Sequence, residues 1–390
     1  MNKGVPHFFR RTLLHWSAFL VMVQGLPASL ALAQDSVGLT DSEILIGQSC
    51  QLTGPLAALS SEVRQGASLY FDHINASGGV RGRKIRVVAL DDAYDPKKAA
   101  ENTRKLIDEH KVLALFQYAG TPPSLAALPI AEERSVPFIA AFTGFDGLRR
   151  ADSRYVFNIK AGYAAELDAM VKQLASVGIA RIAAVYLNNP FGTGGLASVE
   201  KSTATYKLDL LAKVPLEVDG SNMTAAVATV AKASPQAIIV ISAGKPSVDF
   251  VDAYLGAGQK SKFYMLSVIS NAQLAKALGE RARGVVVSQV VPSPWNKSVP
   301  VSREFQTLAN AKGVKEYTFM QMEGFISAKF LVDAIQRAGA KPTRATLVQA
   351  MESMRSVDLG GYPVELSATQ HHSGKFVDLM MMGRDGRFMR

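Results

Sequence analysis

A single cysteine, Cys50, stands in 390 residues, so no intramolecular disulfide can form. A chain this long can instead bury a core large enough to hold it folded. Histidine is also scarce, with six in all and one adjacent pair, His371-His372. Neighbours on a strand point to opposite faces, and no third ligand follows at a metal-site spacing, so no metal is expected. The GxSxG nucleophile elbow is missing, and so is a glycine-rich phosphate loop ending in Gly-Lys-Ser/Thr. Cys50 follows an apolar strand with no base partner in view, which reads as a small buried residue. No enzyme and no cofactor are expected. After residue 33, no stretch approaches the ~20 consecutive apolar residues that a membrane-spanning helix needs. The net charge is +10, but its basic residues are scattered and form no basic-aromatic array. That describes a well-solvated surface, with some bias toward anionic ligands, and no nucleic-acid partner. Internal repeats and low-complexity segments are absent too.

What is present begins at the N-terminus. Met1 to Arg11 carries Lys3, Arg10 and Arg11 and no acid; an apolar stretch, Leu13 to Leu32, follows, and Ala31-Leu32-Ala33 gives a small-x-small site before Gln34. These are the three parts of a cleavable secretory signal, with cleavage expected after Ala33. A membrane anchor is the other reading, but His15, Gln24, Gly25 and Pro27 interrupt the stretch. The segment has no cysteine for a lipid, so the exported chain is expected to be soluble.

From residue 44 onward strands and helices alternate. Strands are expected at 44–48, 84–90, 112–116, 137–141, 181–187, 208–214, 237–241, 262–266 and 284–290. Helices are expected between them, at 60–75, 97–109, 123–134, 163–177, 193–204, 223–233, 246–257 and 271–279. Continuous apolar runs such as Ile182 to Leu187 and Ala237 to Ile241 fit parallel strands covered on both faces. Helices then dominate 301–353, and strands near 363–366 and 375–382 end the chain. The class is α/β, and two sheets suit this count better than one.

Turns at the carboxyl ends of parallel strands are where open α/β sheets bind ligands. Gly120-Thr121-Pro122-Pro123-Ser124 follows one strand and opens a helix, and Ala140-Ala141-Phe142-Thr143-Gly144 repeats the arrangement after the next. Helix-start amides with Thr121, Ser124 and Thr143 hydroxyls can hold a carboxylate without a buried cation. A plain capped turn fits the same residues. In the second half, Asn188-Asn189-Pro190-Phe191 precedes glycines that formally match a dinucleotide pattern. The strand does not lead directly into them, so that match is weak. Asp91, Asp92 and Asp95 could suggest a cation site, but Asp95 before Pro96 reads as a helix cap.

Taken in order, the segment from Ile44 to Pro96, the turns at Thr121 and Thr143, and Phe191 resemble the leucine/isoleucine/valine-binding family of periplasmic solute receptors. The resemblance covers roughly 42–385. It implies two Rossmann-like lobes, each a mostly parallel sheet flanked by helices, joined by three hinge crossovers. These would lie near Tyr155–Asn158, Val287–Pro292 and Ser356–Gly361, dividing the chain into 42–157 plus 291–357 and 158–290 plus 358–390. It also implies a monomeric periplasmic receptor that hands a small carboxylate-bearing molecule to the membrane permease of an ABC importer. Thr143 matches the family's carboxylate-holding threonine, Thr121 its serine position, and Phe191 the aromatic that covers the ligand from the second lobe. Leu59 and Phe142 would line the cleft beside them.

This sequence departs from the amino-acid receptors at several places. A Ser242-Ala243-Gly244 turn replaces a second-lobe aromatic, which makes Gly244 a candidate contact. Leu266-Ser267-Val268-Ile269 replaces the glutamate that holds the ligand ammonium, so Ser267 stands there without an acid unless another, such as Asp146, is supplied. The cysteine pair that forms a disulfide in the branched-chain receptors is missing, and Tyr94 and roughly Ala119 stand there instead. A carboxylate with an apolar or aromatic body is therefore expected to compete well with branched-chain amino acids. Two alternatives remain: a sensor of the same fold serving a signalling receptor, and an exported α/β enzyme, for which no nucleophile-base pair or metal set is found.

Overall fold

The computed structural model describes residues 37–383 and 388–389. The expected signal peptide, 1–33, lies outside them. In the first sheet, β1 (Glu43–Cys50), β2 (Lys84–Asp91), β3 (Ala114–Phe116), β4 (Phe138–Ile139) and β5 (Val156–Phe157) are all parallel, in the order β2-β1-β3-β4-β5. The winding reverses between β1 and β3. Helices α1 (Ala57–Ala76), α2 (Pro96–Arg104) and α3 (Thr121–Glu133) connect these strands.

The second sheet repeats the winding. Strands β6 (Arg181–Leu187), β7 (Asp209–Leu216), β8 (Ala237–Ile241), β9 (Lys262–Met265) and β10 (Val286–Gln289) run in the order β7-β6-β8-β9-β10, all parallel. Two antiparallel strands, β13 (Asp378–Met382) and β14 (Phe388–Met389), extend it beside β10. Its helices are α4 (Tyr163–Ser176), α5 (Pro190–Tyr206), α6 (Met223–Ala233), α7 (Gly244–Gly256) and α8 (Asn271–Leu278). Every residue of β8 is buried, as expected of a strand covered on both faces.

Helices α9 (Pro300–Ala311), α10 (Phe319–Arg337) and α11 (Arg344–Glu352) follow β10 but pack on the first lobe. Glycine makes this possible. A Cβ on Gly66 of α1 would lie 1.8 Å from the Gln321 carbonyl oxygen, and one on Gly324 of α10 would lie 1.9 Å from that of Val63. Backbone meets backbone there, and no side chain fits between. Arg344 fixes α11 by donating to the Val112 carbonyl at 2.8 Å.

The chain thus passes between lobes three times: after β5, after β10, and around the small hairpin of β11 (Val357–Asp358) and β12 (Pro363–Val364). The first and third crossings run side by side. Asn158 N donates to His371 O at 3.1 Å and Ser373 N donates to Asn158 O at 2.8 Å. The Tyr362 hydroxyl, on the third crossing, donates to Ile159 O of the first at 2.6 Å, with Val290 O of the second at 3.4 Å.

Some element ends differ from the sequence reading. β4 stops at Ile139 because Ala140 turns left-handed, at φ 51°. α5 starts at Pro190 because Asn189 caps it, accepting from Gly192 N at 3.2 Å, with proline in the first turn. The glycines at 192–195 are therefore helical.

Candidate functional site

In both sheets the winding reverses at a crevice beyond the strand ends, and these two crevices face each other. On the first-lobe side, Gly120 ends the turn after β3 with φ 87° and Thr121 begins α3. Gly120 N donates to Phe142 O at 3.1 Å and Phe142 N to Tyr118 O at 2.8 Å, so the turns after β3 and β4 are tied together. The tie brings the Thr121 and Thr143 hydroxyls to 2.7 Å of each other, and the Thr143 hydroxyl also accepts from Phe145 N at 3.2 Å. Four non-glycine residues with positive φ, Ala93, Tyr94, Gln117 and Ala140, follow the ends of β2, β3 and β4. Such strained backbone persists where the surroundings over-determine it, and it clusters at functional sites.

The cavity between the lobes measures about 300 Å³. The first lobe lines it with Leu56, Leu59, Tyr94 and Phe142 around Gln51, Gly120 and Thr121; the second covers it with Tyr163, Phe191, Ala243 and Val268. The Tyr163 and Phe191 rings lie 5.0 Å apart, tilted by 51°. Tyr163 bridges the lobes: its amide donates to Gly144 O at 2.7 Å, and its hydroxyl is met by Thr143 and the Gly144 amide, although burial still pushes its pKa well up.

At the rim the lobes touch. Gly244 opens α7 with φ 54°, and a Cβ there would lie 2.8 Å from Leu56 Cδ2. The Tyr94 hydroxyl faces Asn189. Glu62 of α1 accepts from Gln273 of α8 at 3.3 Å, and burial raises its carboxyl above the usual range against opposing hydrogen bonds from Ser270, Thr318 and Gln273.

The sequence-expected residues fall into three groups. Thr121, Leu59, Phe142 and Phe191 line the cavity. Thr143 sits one layer behind, bonded to Thr121, and Gly244 lies at the rim. Ser124 and Ser267 are fully buried and outside the lining. The Ser267 amide and hydroxyl donate to Glu166 at 2.9 and 3.1 Å, so Val268 faces the cavity in its place. The acid not found near position 267 is thus present behind it, brought from α4. Glu166 also accepts from the Ser288 hydroxyl at 2.5 Å. Burial raises its pKa, with Lys160 opposing.

Gln51, Leu56, Tyr94, Gly120, Tyr163, Ala243 and Val268 complete the lining without having been singled out as contacts. Tyr94 had one signal, its place near a family cysteine. In the fold its ring lies against Gly120, where a Cβ would come within 2.4 Å of it. Gln51 is held in place: its amide nitrogen donates to Asp92 at 3.1 Å and to Ala119 O at 2.8 Å, and its oxygen accepts from Ser60 at 2.7 Å.

Behind Phe142 lies a second cavity of about 260 Å³ at the hinge, bordered by Asn158, Lys160, Val291, Glu323 and Tyr362. Lys160 donates to Glu323 at 2.8 Å and stands 4.7 Å from the Phe142 ring centroid. Both members of the pair are buried, and the second Glu323 oxygen makes no hydrogen bond.

The remaining candidates have structural places. Asp95 caps α2 by accepting from Lys97 N at 2.8 Å. Among the described residues no group of three or more His, Cys, Asp or Glu is arranged to hold a metal. His371 stacks on Phe157 at 4.2 Å, while His372 contacts Asn158 and Arg150 O. Burial pushes the Cys50 thiol up to about 12, so it is not a thiolate at neutral pH.

Residues 43–387 match the family model described as periplasmic binding protein. Leu/Ile/Val-binding protein homolog 8 of Brucella suis biovar 1 (strain 1330) is 24% identical over 385 residues, covering 93% of this chain and 94% of the relative. Other curated relatives are spanned over about half of their length, 46%. The crystal structure of a possible leucine/isoleucine/valine-binding protein from Rhodopirellula baltica SH 1 superimposes with a TM-score of 0.84 at 27% identity, over 91% of this chain and 97% of that one. A substrate-binding periplasmic protein from Ralstonia solanacearum gives 0.84 at 30% identity, over 89% and 99%.

Proposed function

The chain belongs to the periplasmic binding protein family, and from that premise we propose that it is an exported solute receptor of an ABC importer. It would work in the periplasm as a monomer, after removal of residues 1–33. There it captures a small carboxylate-bearing molecule between two lobes, 42–157 with 291–357 and 158–290 with 358–390, and presents the closed form to a membrane permease.

The observation that carries this reading is the cavity between two facing sheet crevices, with the Thr121–Thr143 hydroxyl pair on its fixed side and Phe191 on its cover. Hydroxyls and helix-start amides at Thr121 supply charge-assisted hydrogen bonds to an oxyanion. In this reading the pair opens when a carboxylate arrives, and both hydroxyls turn to it. Capture needs no chemistry; it needs better contacts in the closed state than in the open one. The rim contacts Gly244–Leu56, Tyr94–Asn189 and Glu62–Gln273 belong to the closed state, and opening separates them.

The test is mass spectrometry of small molecules released by denaturing protein purified from the cell envelope. One acid in near-stoichiometric amount is expected. Added back at ~100 times its dissociation constant, it should stabilise the fold by about 2.7 kcal/mol. If nothing is released and no small acid raises the melting temperature, the receptor reading fails.

A further inference from the structure

We propose that the cleft selects carboxylates that carry no cationic nitrogen and have an apolar or aromatic body. The inference rests on the receptor reading above and narrows it to a ligand class.

None of the eleven residues lining the cavity carries a charge. An ammonium group enclosed there needs an anion or several acceptors, because burial of an unpaired charge is heavily penalised. The nearby carboxylates are already taken. Asp92 accepts from Ser49, Gln51 and the Tyr94 amide. Asp146 accepts from the Ala164 amide at 3.0 Å. Glu166 accepts from three donors on Ser267 and Ser288 and lies behind Val268, not in the lining. The Gln51 carbonyl oxygen, which could accept from an ammonium, is occupied by Ser60. Glu62 and Glu323 each keep one buried oxygen that makes no hydrogen bond, but Glu62 sits at the rim against Gln273, Glu323 lies at the hinge paired with Lys160, and neither is among the lining residues.

The rings argue the same way. Tyr94, Phe142, Tyr163 and Phe191 surround the cavity, and four rings could in principle cage a quaternary ammonium. However, the Phe142 ring already carries the Lys160 ammonium on its hinge side, 4.7 Å from its centroid. That face of the ring is thus taken by a cation already paired with Glu323, and only the cleft face is left for the body of a ligand. The faces of the other rings suit an apolar or planar body, and the Thr121–Thr143 pair serves the carboxylate.

Matched pairs differing only in the amino group test this directly. Ligand-free full-length mature protein is titrated by calorimetry with leucine against isocaproate, phenylalanine against hydrocinnamate, and glycine betaine alone. The acid lacking nitrogen should bind at least tenfold more tightly than its amino partner, with betaine giving no heat. Leucine, phenylalanine or betaine binding as tightly as the plain acids overturns the inference while leaving the receptor reading standing. If an amino acid wins and Glu62→Gln removes that preference, Glu62 is the ammonium partner and the inference is wrong for that stated reason. Binding by none of these probes also overturns the class, and the compound recovered from purified protein then decides separately whether the receptor reading survives.

Discussion

The hinge cavity buries an ion pair, Lys160 with Glu323, while the inter-lobe cavity on the other side of Phe142 is lined by no charged side chain. The hinge also concentrates committed polar bonds. Tyr362 ties the first and second crossings, and Asn158 is clamped by the segment at His371–Ser373. The other side leaves two threonine hydroxyls, those of Thr121 and Thr143, bonded mainly to each other. The contrast shows where directional interactions are used up in defining geometry and where they are kept available for exchange. A buried ion pair adds little net stability over an apolar replacement, but breaking it is costly. That suits a hinge that must hold one path, and it would hinder the ligand release proposed for the cleft.

The contrast can be broken most severely at Lys160. Lys160→Met leaves Glu323 without a partner and removes the cation that opposes burial of Glu166. A stability loss of about 3–5 kcal/mol is expected in urea unfolding. Replacing both members, Lys160→Met with Glu323→Leu, should recover most of it; a single variant as stable as the parent would show that the hinge does not depend on its charges. The cleft side is probed by Thr143→Ala, which removes a hydroxyl held by Thr121 and Phe145 N. Calorimetry with the recovered acid should show an affinity loss of about 1.5–3 kcal/mol, roughly 10–150-fold, with a smaller change in unfolding. Undiminished affinity would remove Thr143 from the site.

Two smaller effects sharpen the hinge side. Tyr362→Phe deletes the hydroxyl that links crossings. A cost of about 0.5–1.5 kcal/mol is expected, with faster amide exchange around Ile159 and unchanged ligand affinity at Thr143. His372, beside Asn158, is pulled down to about 4, chiefly by burial. Its neutral form is the one the fold accepts, so its contribution is fully present above the ordinary value near 6.5 and is lost as pH falls toward 4. His372→Gln should flatten that part of the stability profile, and an identical slope in the variant would assign it to other groups.

Much of this architecture was legible in the sequence because hydrophobic period and turn residues are local. Strands 181–187 and 237–241 and helix 223–233 fall where apolar runs and helical spacing put them. The ends were less legible where backbone geometry decides: Ala140 turns left-handed and cuts β4 short. The site was half legible for a similar reason. Thr121 and Phe142 follow apolar strands and can be found by position alone. Gln51, by contrast, gains its role from Asp92 and Ala119, and Tyr163 from Phe191 and the Gly144 turn. Glu166 reaches Ser267 across 101 positions, so a search for an acid near 267 finds none, and Ser267 itself turns inward to meet it.

Two lobes that close over a ligand about three crossings should become more compact on binding it. Small-angle X-ray scattering of the mature protein, with and without the recovered acid, tests it most directly. A smaller radius of gyration is expected in the saturated protein, as the Gly244–Leu56 and Glu62–Gln273 contacts form. An unchanged radius, at saturation proven by calorimetry on the same sample, would contradict it.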